Sequence, residues 1–130
     1  MSEIARQTLH CMSDFCEAEA GELRAGFLFP PEFIGFQGHF PGRPILPAVC
    51  EIQAALTMLE AWRGRRVRLR GITMAKFSAP VSCDEEVGYL CSVTMEDSHG
   101  ALAKVTVAKD GATVARFRLR VAFGDEGRGR

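Results

Sequence analysis

Charge of one sign is what this chain most plainly lacks: sixteen Lys and Arg face sixteen Asp and Glu, for a formal net charge of zero. A generally basic, nucleic-acid-binding composition is thereby excluded. Long apolar runs are also missing, and none approaches the roughly 18 residues that a membrane span needs. The N-terminal MSEIARQTLH carries an acid early and has no continuous apolar core, so it does not read as a secretory leader. No C-x-x-C pair occurs among the five cysteines Cys11, Cys16, Cys50, Cys83 and Cys91. An odd count without paired spacing argues against a disulfide framework and for reduced thiols in a cytosolic compartment. Cys11 and Cys16 beside His10 make at most half a metal site, since His39 and His99 stand apart from any cysteine pair; small apolar core fillers is the reading adopted, with no metal. Repeats, linkers and low-complexity tracts are absent too. These absences predict a soluble, cytoplasmic protein without a membrane or nucleic-acid partner. With 130 residues, 47% of them hydrophobic, it can bury one core but not two. Residues 1–123 are expected to form one domain, and 124–130, GDEGRGR, a flexible tail without an apolar residue.

The second half of the chain alternates. Val87, Tyr89, Cys91, Val93 and Met95 interleave with smaller or more polar neighbours, the period-two signature of a half-buried strand. Asp97-Ser98-His99-Gly100 supplies a turn, and Ala103, Val105 and Val107 mark the next strand. Asp110-Gly111 is a hairpin signal, since both positions tolerate positive φ. Phe117, Leu119, Val121 and Phe123 then alternate with Arg116, Arg118, Arg120 and Ala122. Upstream, Arg66 to Phe77 also reads as a strand, with Val67 and Leu69 set against Arg66, Arg68 and Arg70. A polar hairpin, Ser13–Glu19 and Leu23–Phe29, is expected around Gly21.

Between these strands the spacing predicts one helix, Ala48 to Trp62, entered through Pro44 and Pro47. Val49, Ile52, Ala55, Leu56 and Leu59 share one face and the small Cys50, Ala54 and Ala61 gather on another, a pattern usual for a helix wrapped by a sheet. Trp62 reads as a filler at the helix end. Two strands, a long loop, one helix and four strands suggest an α+β domain in which a curled sheet of about six antiparallel strands embraces the helix.

The chemistry concentrates in FQGHFPGRPILPAVCEIQAA, residues 36–55. Glycines and prolines around one histidine make a stiff loop that aims a side chain. It runs into a helix N-terminus, where free N–H groups and the dipole favour developing negative charge. A histidine with a near-neutral pKa at such an end is half of a proton-transfer site.

GHFPGRPILPAV resembles the G-H-F-P-G-x-P-x-x-P-G-V segment of the 3-hydroxyacyl-(acyl-carrier-protein) dehydratases, hot-dog-fold enzymes of type II fatty acid biosynthesis. Gly71-Ile72, Lys76-Phe77 and Pro80-Val81 are similar to a second family pattern, G-I-x-x-x-K/R-F-x-x-P-V. The resemblance implies a hot-dog fold, a six-stranded antiparallel sheet around helix 48–62. It also implies a homodimer or higher homo-oligomer with active sites between subunits, and no cofactor. It further implies a lyase that removes water from a carrier-bound 3-hydroxyacyl thioester to leave the trans-2-enoyl thioester. His39 takes the place of the catalytic base, and Phe40, Gly42, Pro47 and Ala48 those of substrate contacts. The family's acid, from the partner's central helix, falls six residues after the last motif proline, at Gln53. Glutamine can hydrogen-bond a departing hydroxyl but has no acidic proton to give it. Glu51 lies about 160° around an ideal helix from Gln53, and Glu60 two turns on, roughly 10 Å along the axis, so neither replaces it on that face.

The basic run Arg63, Arg65, Arg66, Arg68 and Arg70 reads either as a solvated edge or, through Arg65, Arg66 and Arg68, as a docking patch for an acyl carrier protein or its phosphopantetheine phosphate. Two other functions stay open: a hot-dog acyl thioesterase, and a non-catalytic acyl-thioester-binding subunit.

Overall fold

The computed structural model describes residues 2–37, 42 and 44–126. The chain opens with a helix, α1 (Glu3–His10), that alternation and proline signals did not reveal. Ser2 caps it by accepting the Ala5 N–H at 3.1 Å, and Glu3 in its first turn pairs with Arg6 and Gln7. Eight residues are too few for such a helix to stand alone, so packing on α2 (Ala48–Arg63) sustains it. Gln7 also accepts the N–H of Ile34 at 2.9 Å, fastening α1 to the short 3-10 turn Ile34–Phe36.

Six strands follow the expected pattern: β1 (Met12–Glu19), β2 (Glu22–Phe27), β3 (Arg65–Phe77), β4 (Val87–Met95), β5 (Gly100–Lys109) and β6 (Ala112–Glu126). They form one antiparallel sheet in the order β1-β2-β4-β5-β6-β3, a hot-dog fold with α2 against its inner face. Asp110 and Gly111 both adopt positive φ, 52° and 82°, which gives the β5–β6 hairpin the twist of its strands. Strand β6 continues to Glu126, past the Phe123 where the alternation stops. The inner face is apolar throughout: Leu23 and Phe27 from β2, Val87, Tyr89 and Cys91 from β4, Val105 and Val107 from β5, Phe117, Leu119 and Val121 from β6. Each large side chain buried there is worth roughly 1.5–3 kcal/mol.

The apolar face grouped by spacing on α2 is not buried along its whole length. Val49 is 67% exposed. Two stripes run along the helix, Val49-Gln53-Leu56-Glu60 and Glu51-Ala55-Met58-Trp62, and the second is the one turned towards the sheet. Ala54, Ala55, Met58 and Leu59 are fully buried, whereas Gln53, Leu56 and Glu60 are only half-buried. Small residues at 50, 54 and 55 let the sheet approach closely. Tyr89 of β4 donates to the carbonyl of Glu51 at 2.8 Å, tying helix to sheet through their buried faces.

The sheet's two outer strands differ. Strand β1 is short, irregular and acidic, with Asp14 at a φ of 55°, features that blunt an edge. Strand β3 is thirteen residues long and leaves Leu69, Ile72, Met74 and Phe77 exposed. Register shifts on either side of Gly71 and Ile72 interrupt the alternation expected there.

Candidate active site

Residues 44–47 deliver the chain to the start of α2, and several bonds hold them. Leu46 donates to the Val81 carbonyl at 2.7 Å, and the Ser82 hydroxyl to the Pro44 carbonyl at 2.6 Å. Glu85 accepts from the Ser82 N–H at 2.8 Å and from Lys109 at 3.0 Å; these two donors hold its carboxyl below the ordinary range. Pro47 is the N-cap, with no side-chain capping bond, and Ala48 begins the helix. The first N–H groups of α2 therefore have no partner from within the helix.

Beneath this helix start lies a cavity of about 300 Å³, lined by Leu46, Ala48, Glu51, Phe77 and Ala79 among others. Among the described residues Glu51 is its one ionisable wall residue. The residue is 4% exposed, and its Oε1 has no hydrogen-bond partner. Burial pushes its pKa up from 4.5 to about 7. The neighbouring Cys50 thiol is raised to about 11, chiefly by burial and then by Glu51. Cys91 is raised to about 12 in the same way, by burial and then by Glu22. Neither thiol is a nucleophile at neutral pH. All five cysteines are free.

Gln53 faces a different cavity, of about 480 Å³, between α1, α2 and the beginning of β3. Leu56, Glu60, Arg65, Arg66 and Val67 line it with Gln53. The Gln53 amide donates to the Thr57 hydroxyl at 3.3 Å, which in turn donates to the Gln53 carbonyl at 3.0 Å. Glu60 is occupied by the Val67 N–H at 3.0 Å. The two cavities thus flank opposite ends of β3: Val67 belongs to one and Phe77 to the other.

Of the residues anticipated from sequence, Pro47 and Ala48 sit together at the helix start, and Gly42 lies exposed on the approach with a φ of 83°. His39 and Phe40 lie outside the described residues. Gln53 does not share a cavity with Ala48 within one chain. Arg65 and Arg66 border the Gln53 cavity, while Arg68 does not. Arg65 is held, its Nε donating to the Gly124 carbonyl at 2.8 Å beneath Phe123. Arg66 and Arg68 are exposed. Glu51, set apart from Gln53 by azimuth in the sequence, shares the buried stripe of Ala55 and Met58, a spacing that is the sequence signal of its burial.

Comparison with known proteins places this geometry in context. Residues 16–117 match the family model described as ApeI-like, ApeI dehydratase. A 3-hydroxyacyl-[acyl-carrier-protein] dehydratase FabZ of Clostridium botulinum is 27% identical over 96 residues, 68% of each chain. Among solved structures, the dehydratase heterocomplex ApeI:P from Xenorhabdus doucetiae superposes with a TM-score of 0.70 at 18% identity, covering 85% of this chain and 96% of that one. A hypothetical thioesterase with coenzyme A from Streptococcus pneumoniae superposes at 0.67 with 4% identity, covering 96% and 97%. At these identities the two structures speak for the fold.

Proposed function

Because the chain belongs to the ApeI-like dehydratase family, we propose that it removes water from 3-hydroxyacyl thioesters presented by an acyl carrier protein. The observation that carries this reading is the cavity at the start of α2, where N–H groups without a partner within the helix meet an apolar chamber. The thioester carbonyl accepts from the Ala48 N–H, an oxyanion-hole arrangement that stabilises charge as the α-proton leaves. His39 takes that proton. Gly42 and Phe40 shape the approach, and Gln53 hydrogen-bonds the substrate without supplying a proton.

Two copies complete the site. Paired antiparallel through their β3 strands about Gly71, midway along Arg65–Phe77, they bring the α2-start cavity of one beside the Gln53 cavity of the other. The exposed Leu69, Ile72, Met74 and Phe77 are the apolar surface that such a seam would cover. Arg66 and Arg68 at its rim suit an acidic carrier.

Incubation of the purified protein with 3-hydroxyacyl and acyl pantetheine thioesters tests the reading. Enoyl formation that disappears in His39→Ala is the expected result. Release of free thiol instead makes the protein a thioesterase. Binding without turnover makes it an acyl-binding subunit.

A further inference from the structure

The proposed reaction needs a proton for the departing hydroxyl, and Gln53 has none to give. We infer that the carboxyl of Glu51 is the proton donor, acting from the wall of the α2-start cavity on the β-hydroxyl of a substrate bound at Ala48. The inference rests on the dehydratase reading of that site. Ala48 and Glu51 are one helical turn apart, ~5 Å along the axis. That spacing is on the scale of a ligand whose carbonyl oxygen and hydroxyl sit two carbons apart.

The side chain is built for this rather than for stability. A buried carboxyl ordinarily finds a partner, and Oε1 of Glu51 has none among the described residues. Glu51 lines a chamber whose other described walls include Leu46, Phe77 and Ala79, none of them charged. The titratable groups beside it, Cys50 on its own helix and Tyr89 on β4, are both pushed up and stay neutral at pH 7. Among the described residues nothing there favours the carboxylate, so an appreciable share of the acid keeps its proton near neutrality, as a general acid requires.

The step balances as an elimination. The α C–H bond breaks, its proton passing to His39 and its electron pair forming the Cα=Cβ bond. The Cβ–O bond breaks with its pair on oxygen, and the Glu51 proton joins that oxygen, which leaves as water. The imidazolium and carboxylate left behind return to their starting forms by exchange with solvent.

Two substrates separate this role from a structural one: a 3-hydroxyacyl pantetheine thioester, and its 3-chloro analogue, whose leaving chloride needs no proton. Glu51→Gln, nearly isosteric, is expected to lower kcat on the hydroxy substrate by ~10²-fold or more while chloride elimination stays within about threefold of the native rate. Glu51→Asp should recover part of the loss. The native rate on the hydroxy substrate should fall above about pH 7, a limb absent in Glu51→Gln. Equal losses on both substrates, or no loss on either, overturn the inference and leave the dehydratase reading standing. So does a Gln53→Glu chain that gains ~10²-fold over native, since the donor was then missing. A native protein that eliminates neither water nor chloride overturns both.

Discussion

Glu51 carries a cost that can be read without any substrate. Its carboxyl has a pKa of 4.5 in the unfolded chain and about 7 in the folded one. Between those values the folded state binds more protons at this group, so the contribution of Glu51 to stability is greatest below pH 4.5 and declines until about pH 7, beyond which the loss is constant. The shift corresponds to a penalty on the order of 3 kcal/mol at pH 8. Glu51→Gln is therefore expected to stabilise the protein against urea at pH 8 and to change little near pH 4, checked by parallel denaturation curves. A chain that keeps so costly a group at a cavity wall is trading stability for chemistry. Helical spacing located Glu51 correctly relative to Gln53, but azimuth says nothing of depth. Only the packing of Ala55 and Met58 around the same stripe reveals that the carboxyl is inside. Val49 lies on the outer stripe of the same turn in which Cys50 and Glu51 are buried, so apolar character alone does not say which side of α2 faces the sheet.

The elements themselves divide into those whose signal is local and those whose signal depends on a neighbour. Strands β4, β5 and β6 alternate because one face is buried within the chain, and the Asp110-Gly111 turn fixes their register. The end of α2 is equally local: Gly64 takes a φ of 65°, and its N–H reaches the Glu60 carbonyl at 2.7 Å. Nothing lies within 4 Å of where a Cβ would sit, so Gly64→Ala meets only the backbone cost of the left-handed conformation. A loss of about 1–2 kcal/mol is expected, seen as a lower Tm with thioester binding intact. Helix α1 is the opposite case. It is short, and what holds it is the Gln7–Ile34 bond and the surface of α2, neither of which a window of ten residues contains. Strand β3 reads as amphipathic in sequence, yet its alternation does not say whether the apolar residues turn inward or are left for another chain. The structure answers with exposure at Leu69 and Ile72.

At the scale of the whole molecule, the arginines divide between two jobs. Arg65 is engaged by Gly124 and Phe123, whereas Arg66 and Arg68 extend freely from the rim of the proposed seam. If that rim receives an acidic carrier, Arg66→Ala with Arg68→Ala should lower kcat/KM for a carrier-linked substrate roughly tenfold, about 1.4 kcal/mol. Added salt should produce a similar decline in the native protein. Turnover of a short pantetheine thioester should hardly change, and comparison of the two substrates is the check. The histidine-proline motif marks in sequence the approach to the helix start that Pro47 and Ala48 form; it is silent on which arginines are exposed and on the separation of Gln53 from Ala48 into two cavities, because both depend on chain segments far from it in sequence.

The long outer edge of β3 has one more consequence. Thirteen residues of strand end the sheet there, with no strand on the outer side among the described residues. Backbone donors and acceptors along that side can be matched by any strand that comes to lie against them. Whatever does so stabilises the fold by mass action, in proportion to the logarithm of its concentration over its dissociation constant. Where that strand is the β3 of a second copy, as proposed above, dilution acts on the fold much as a denaturant does, and the protein's own concentration becomes one of the quantities that hold it folded.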